Sequence, residues 1–260
     1  MRNNSTWAPL PPSPISWARD AWKPSSVVLV VIGVALCFII VPLVYLIAGA
    51  GAGLLDIRHL SVEQTLIAGA IGYVPLAALL LAVLPRVAKA SLHELGFHAP
   101  SQGELAVGLA GIIAMWLVVT LVGTLISTLA HKHEAEAAVA LMRQLRSPGE
   151  KVFFAFIAIA LAPMLEELTF RVFLFNAFSR YMPLAWAALC SGVVFGIVHA
   201  QGTSGANYAT QLLTVSVSLA LGGIILAYVY SLTRCYWCSV ITHAGFNAIT
   251  VFAVIFLHAR

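Results

Sequence analysis

The chain has 260 residues, of which 61% are hydrophobic and 9% charged, against roughly 25% charged residues in an ordinary soluble domain. With a mean hydropathy of +0.95 and long apolar runs, this composition excludes a soluble globular enzyme, a disordered chain and a coiled coil. The formal charge of +4 is spread over loops and ends, so nucleic acid is not expected as a partner.

Residues 1–25 carry Arg2, Arg19, Lys23 and five prolines, a composition that does not sustain a helix and reads as a flexible polar head. The head is too long and polar for a signal peptide, and the run after it, about 26 to 55, is too long for a signal core, so that run is expected to stay as an anchor. Further apolar runs lie at about 64–84, 104–130, 152–178, 183–200, 210–232 and 239–257, each near the length of about 20 residues that the hydrocarbon demands. The expected fold is all-α, a polytopic transmembrane helical bundle of about seven or eight spans in a multi-pass protein of the cell membrane. Residues 26–150 would hold N-terminal transmembrane helices and loops, and 151–260 the functional core.

An eighth span would come from a break at Gly49, Gly51 and Gly53, or from an interfacial helix at 131–150, where Lys132, Glu134, Glu136, Arg143 and Arg146 flank Ala137 to Leu141. Loop charges divide almost evenly between the two sides, and the basic head slightly favours a cytoplasmic N-terminus. Small residues such as Gly108 with Gly111, and Gly222 with Gly223, allow close helix packing. Cys37 and Cys190 fall within apolar runs, and Cys235 with Cys238 forms a CxxC that has no second copy to complete a zinc site.

The informative residues are the ionisable ones inside apolar runs. Glu166, Glu167 and Arg171 sit in the middle of the run from Phe153 to Phe178, and each unpartnered charge at a helix centre costs about 2.5 to 3.5 kcal/mol. Glu167 and Arg171 are four apart with the acid first, so they share a face and can pair. Glu166 lies about 100° around the helix and needs another partner. His199 ends a later run with Phe195 four residues before it, and His243 with Asn247 occupies one face of the last span.

A carboxylate, two imidazoles and an amide suffice to hydrolyse an amide bond. Glu166 would act as general base on a water also held by His199, while His243 and Asn247 donate to the developing oxyanion. Arg171 would hold Glu167 and so fix the helix that presents Glu166.

Glu166-Glu167-Leu168-Thr169-Phe170-Arg171 resembles an EExxxR motif, Phe195 to His199 an FxxxH motif and His243 to Asn247 an HxxxN motif, in the order found in the CAAX prenyl protease and bacteriocin-processing family. The resemblance covers about 151–258, and Ser91 to Pro100 is similar to a Leu-Gly stretch that often precedes this core in bacterial members. It implies an all-helical membrane fold, an intramembrane site open toward the cytosol and a glutamate-type endopeptidase with no cofactor. By the same resemblance, Glu166 and His199 would activate water, and His243 with Asn247 would stabilise the oxyanion. The implied partners are the lipid bilayer and a membrane-associated protein or peptide, prenylated or unprenylated, cut near its C-terminus.

Three other readings use the same residues or the same fold. Glu166, His199 and His243 could bind zinc, but no HExxH is present, since His93 and His98 are five apart and His133-Glu134 lacks a second histidine. A catalytically silent bacteriocin-immunity or scaffold protein would keep the fold without the reaction. A proton-relay transporter should show repeated halves, and no motif recurs in residues 1–150. Asp20 and Asp56 lie outside the runs and Leu189 to Gly192 lacks the first glycine of a GxSG, which sets aspartyl and serine chemistry aside. Beyond His199, Gln201, Asn207 and Gln211 are polar loop residues within possible reach of a substrate.

Overall fold

The computed structural model describes residues 17–130, 141–200 and 208–256, and among these every regular element is helical. Helix α1 (Pro24–Gly51) begins at a proline whose fixed φ suits the first helical turn, and among its residues only Val30 is buried. Val27, Val34 and Cys37 pack half-buried against the core, while Leu29, Ile32, Ile39 and Ile47 face outward, as lipid allows. The glycines at its end close the helix, with Gly53 at φ 71°, and they open no eighth span.

Helices α2 (Val62–Ala70) and α3 (Tyr73–Ala88) together make the second span, Val62–Ala88. The chain is interrupted at Ile71 and Gly72, where a Cβ on Gly72 would come within 2.5 Å of the Cys37 carbonyl oxygen. Glycine is what lets the first span cross that closely. Helix α4 (Gln102–Leu129) and the long α5 (Pro148–Ser179) each start at a reciprocal capping box, Ser101 with Glu104 and Ser147 with Glu150. Helices α6 (Leu184–His199), α7 (Tyr208–Thr233) and α8 (Tyr236–Phe256) complete the order.

Six of these segments are long and apolar enough to cross a membrane, and the chain is a multi-pass integral membrane protein. The run at 183–200, expected as a full span, is a helix of 16 residues. At 1.5 Å per residue it reaches about 24 Å, less than the roughly 30 Å of hydrocarbon. Its last residue, His199, therefore stops inside the bundle.

The most extensive helix contact joins α6 to α7 and depends on glycines at the crossing. A Cβ on Gly223 would lie 2.9 Å from the Gly192 Cα, and one on Gly196 would collide with the Ser216 carbonyl oxygen. Gly108 packs in the same manner against Cys238 of α8. Such close backbone approach supplies the dispersion contacts that replace a hydrophobic driving force in lipid.

Part of the expected head is packed rather than projecting. Trp22 is fully buried, its backbone N–H donates to the Val87 carbonyl at 2.8 Å, and Tyr181 donates to its carbonyl at 2.5 Å. Trp17 donates to Ser179 at 3.3 Å and meets Trp22 edge-on. Two indoles have apolar area to bury, and the end of α5 receives them. The rest of the head, residues 1–16, residues 131–140 of the interfacial helix expected at 131–150, and Gln201 with Asn207 lie outside the described residues, as does the side chain of Gln211.

The loop at 89–101 docks on the α7–α8 turn, where the Tyr236 N–H donates to the Gly96 carbonyl at 3.0 Å. His98 spans the same junction, with Nδ1 3.2 Å from the Ala99 carbonyl and Nε2 3.1 Å from the Arg234 carbonyl. Only the doubly protonated ring donates to both. Burial of the ring opposes its charge, but the two carbonyls prevail and hold His98 above its ordinary value of 6.5.

Two predictions follow from this packing. Gly196→Ala should lower stability by about 1 to 3 kcal/mol, read as a reduced melting temperature in detergent. The contribution of His98 is complete below its unfolded value and is lost as pH rises through its higher folded one. Wild type should thus lose more thermal stability than His98→Gln on going from mildly acidic to alkaline buffer.

Candidate functional site

Helix α5 carries Glu166 and Glu167 on a short α-helical stretch, Ala162–Glu167, between two wider π-helical stretches at Ile157–Leu161 and Leu168–Phe175. Proline accounts for the first of these. Pro163 has no N–H to return to Ile159, and the Ala162 N–H reaches back to Ile157 instead of Ala158. Inserted π turns of this kind are frequent at functional sites.

Side chains from other helices bond the carbonyls along this unusual helix. Asn247 Nδ2 of α8 donates to the Ala158 carbonyl at 2.7 Å, Tyr236 of α8 donates to Met164 at 2.7 Å, and Ser191 of α6 donates to Phe170 at 2.9 Å. Asn176, on α5 itself, donates to the Val172 carbonyl and to the Tyr230 hydroxyl, both at 3.0 Å. Tyr230 in turn donates to Leu95 at 2.9 Å.

The ion pair expected from the sequence is present and fully enclosed. Glu167 Oε2 lies 3.0 Å from Arg171 Nε, and both side chains have zero exposure. Glu167 Oε1 accepts from His243 Nδ1 at 2.9 Å. The Arg171 guanidinium stands 4.9 Å from the centre of the Phe195 ring and 5.8 Å from that of Phe170, a cation–π arrangement of the kind favoured where water is excluded. Phe195 also stacks on His199 at 4.2 Å and meets His243 edge-on at 5.6 Å. The aromatic residue of the second motif is thus the common floor of the other two.

Glu166 faces away from that pair and meets two imidazoles. Its Oε2 is 3.2 Å from His199 Nε2 and 3.6 Å from His243 Nε2. His199 Nδ1 lies 2.8 Å from the Phe195 carbonyl, which can only accept, so Nδ1 carries a hydrogen. If His199 were neutral, its Nε2 lone pair would confront the carboxylate, so the attractive arrangement holds one proton between Glu166 and His199. His243 is similarly fixed. With Nδ1–H on Glu167, its Nε2 donates only in the imidazolium form.

Accessibility separates these groups. The side chains of His199 and Glu166 keep 23% and 16% exposure, whereas His243 keeps 4%. Solvent thus reaches Glu166 and His199 more readily than His243, which lies behind them. Among the described residues, no group of three His, Cys, Asp or Glu side chains is arranged to hold a metal ion, and all four cysteines are free thiols.

The structure brings Glu166, Glu167, Arg171, Phe195, His199 and His243 into one cluster, while Asn247 commits one N–H to α5. Three residues near the site were not singled out by the sequence. Tyr73, beside the Gly72 break, lies within electrostatic range of Glu166. Ser191 and Tyr236 brace α5 as described. A polar residue in an apolar run was the available signal for Ser191, and Tyr236 had none because tyrosine is ordinary at a span end.

Residues 148–249 match the family model of type II CAAX prenyl endopeptidase Rce1-like proteins. The match takes in α5, α6, α7 and most of α8, and so contains every residue of the cluster. No curated protein and no solved structure matches the chain.

Removing one partner of a buried ion pair strands the other, at a cost of about 3 to 5 kcal/mol. Arg171→Met should therefore be severely destabilised, and adding Glu167→Gln should recover part of the loss by removing the stranded charge. Thermal unfolding of the two variants in detergent reads this, and equal melting temperatures would contradict it.

Proposed function

With residues 148–249 belonging to the Rce1-like family of type II CAAX prenyl endopeptidases, we propose that the chain is an intramembrane glutamate endopeptidase. It hydrolyses a peptide bond near the C-terminus of a membrane-associated, prenylated protein or peptide, without a metal. The observation that carries this reading is the Glu166 carboxylate lying between the Nε2 atoms of His199 and His243, deep in the bundle yet partly accessible.

Water bound at Glu166 and His199 attacks the scissile carbonyl carbon and passes its proton to the Glu166 carboxylate. The carbonyl oxygen becomes an oxyanion that His243 Nε2–H and the second N–H of Asn247 stabilise. Glu167, bonded to His243 Nδ1, holds the ring with Nε2 turned toward Glu166. The tetrahedral intermediate collapses with cleavage of the C–N bond, and the proton on Glu166 goes to the departing amine. A fixed set of donors in a water-poor site is worth more than the same donors in solution.

The prenyl end has a suitable neighbour. A cleft of about 590 Å³ between α1 and the α2–α3 break is lined by apolar residues including Ile40, Val44, Leu55 and Ile71. Ile71 is two residues from Tyr73, which lies within range of Glu166.

Cleavage of a farnesylated peptide ending in a CAAX sequence is the direct test. Glu166→Gln should lower kcat by about 10² to 10⁴-fold, the range for loss of a general base. A strong chelator should leave wild-type activity unchanged, and loss restored by zinc would overturn the metal-free mechanism. Absence of cleavage by the wild type across prenylated and unprenylated peptides would instead favour a silent immunity or scaffold protein.

A further inference from the structure

The Ala158 carbonyl has no backbone donor available to it. In an α-helix it would accept from Ala162, but that N–H is bonded to Ile157. In a π-helix it would accept from residue 163, which is Pro163 and has no N–H. An unpaired carbonyl in the middle of a membrane helix is costly. The Asn247 amide meets it at 2.7 Å from a helix 89 residues further along the chain.

We propose that Asn247 is a positioning residue that stands in for the missing N–H of Pro163, closing the opened turn of α5 and so fixing where Glu166 is presented. Pro163 lies three residues before Glu166, so an error in that turn is carried directly to the carboxylate. The placement explains why an amide is needed, since an aspartate of the same shape offers no N–H to a carbonyl. It also explains why the amide sits one turn beyond His243: the same face of α8 that sends His243 to Glu167 sends Asn247 to Ala158. The primary task of Asn247 is then to hold the helix, and any contact with the oxyanion uses its second N–H. The activity part of this inference rests on the peptidase reading, and the structural part does not.

The test pairs Asn247→Ala and Asn247→Asp with Pro163→Ala, singly and combined, in the full-length protein in detergent. Hydrogen–deuterium exchange of amides 157–168 is read by mass spectrometry, beside kcat and KM on the farnesylated peptide. Both Asn247 variants should raise exchange in that segment by about tenfold or more, as expected when local opening becomes easier, and lower kcat more than they raise KM. Adding Pro163→Ala supplies a backbone N–H and should return exchange to within about threefold of Pro163→Ala alone, with at least about tenfold recovery of kcat. Exchange unchanged in Asn247→Asp, or a double variant no better protected than Asn247→Ala, would overturn the proposal. If the Pro163→Ala chain does not fold, Asn247→Asp against Asn247→Gln decides, because glutamine keeps the donor and should protect 157–168 better than aspartate. A wild type that cleaves nothing removes the peptidase reading, yet the exchange data still decide the role of Asn247.

Discussion

The buried pair of Glu167 and Arg171 is the interaction on which the rest of the site depends. Two full charges with zero exposure persist in a bundle core only if each is matched locally. Arg171 is matched by Glu167 on one side and by the faces of Phe195 and Phe170 on the other. Glu167 is matched by Arg171 and by His243. The pair therefore recruits α6 through Phe195 and α8 through His243, and three separate stretches of sequence become one cluster. Neutralising charge is what holds the helices in register, and the register is what places Glu166 beside His199 and His243.

Consecutive glutamates make this possible because neighbouring helical residues diverge by about 100°. Glu167 points into the bundle and is consumed by structure. Glu166 points to the accessible side and meets His199 and His243 with one oxygen. His243 belongs to both sets, bonded at Nδ1 to Glu167 and facing Glu166 with Nε2.

The winding of α5 serves the same end. A uniformly α-helical segment would satisfy its own carbonyls and have little need of its neighbours. The wider turns before Pro163 and after Leu168 have carbonyls that accept from Asn247 and Ser191, and Tyr236 adds a bond to Met164 in the α-helical stretch between them, so the helix bearing Glu166 is braced along its length from α6 and α8. The shortness of α6 adds the remaining element. At 16 residues it ends at His199, which meets Glu166 at 3.2 Å while both side chains keep some exposure.

Much of this was legible in the sequence, for a single physical reason: in lipid, polar residues are expensive and apolar length is fixed. The span positions followed from hydropathy, and Glu166, Glu167, Arg171, His199 and His243 stood out because nothing apolar explained them. The i, i+4 spacing alone announced the Glu167–Arg171 pair. What the sequence did not disclose were bonds between residues far apart in the chain. That Asn247 reaches Ala158, that Tyr236 and Ser191 brace α5, and that Trp22 is buried against α3 and α5 depend on which helix faces which. Helix pairing is set by close packing at glycines such as Gly72 and Gly196, and one-dimensional periodicity carries no partner identity. Residue types and depth were thus determined by the sequence, while the tertiary structure decided which oxygen each proton donor meets.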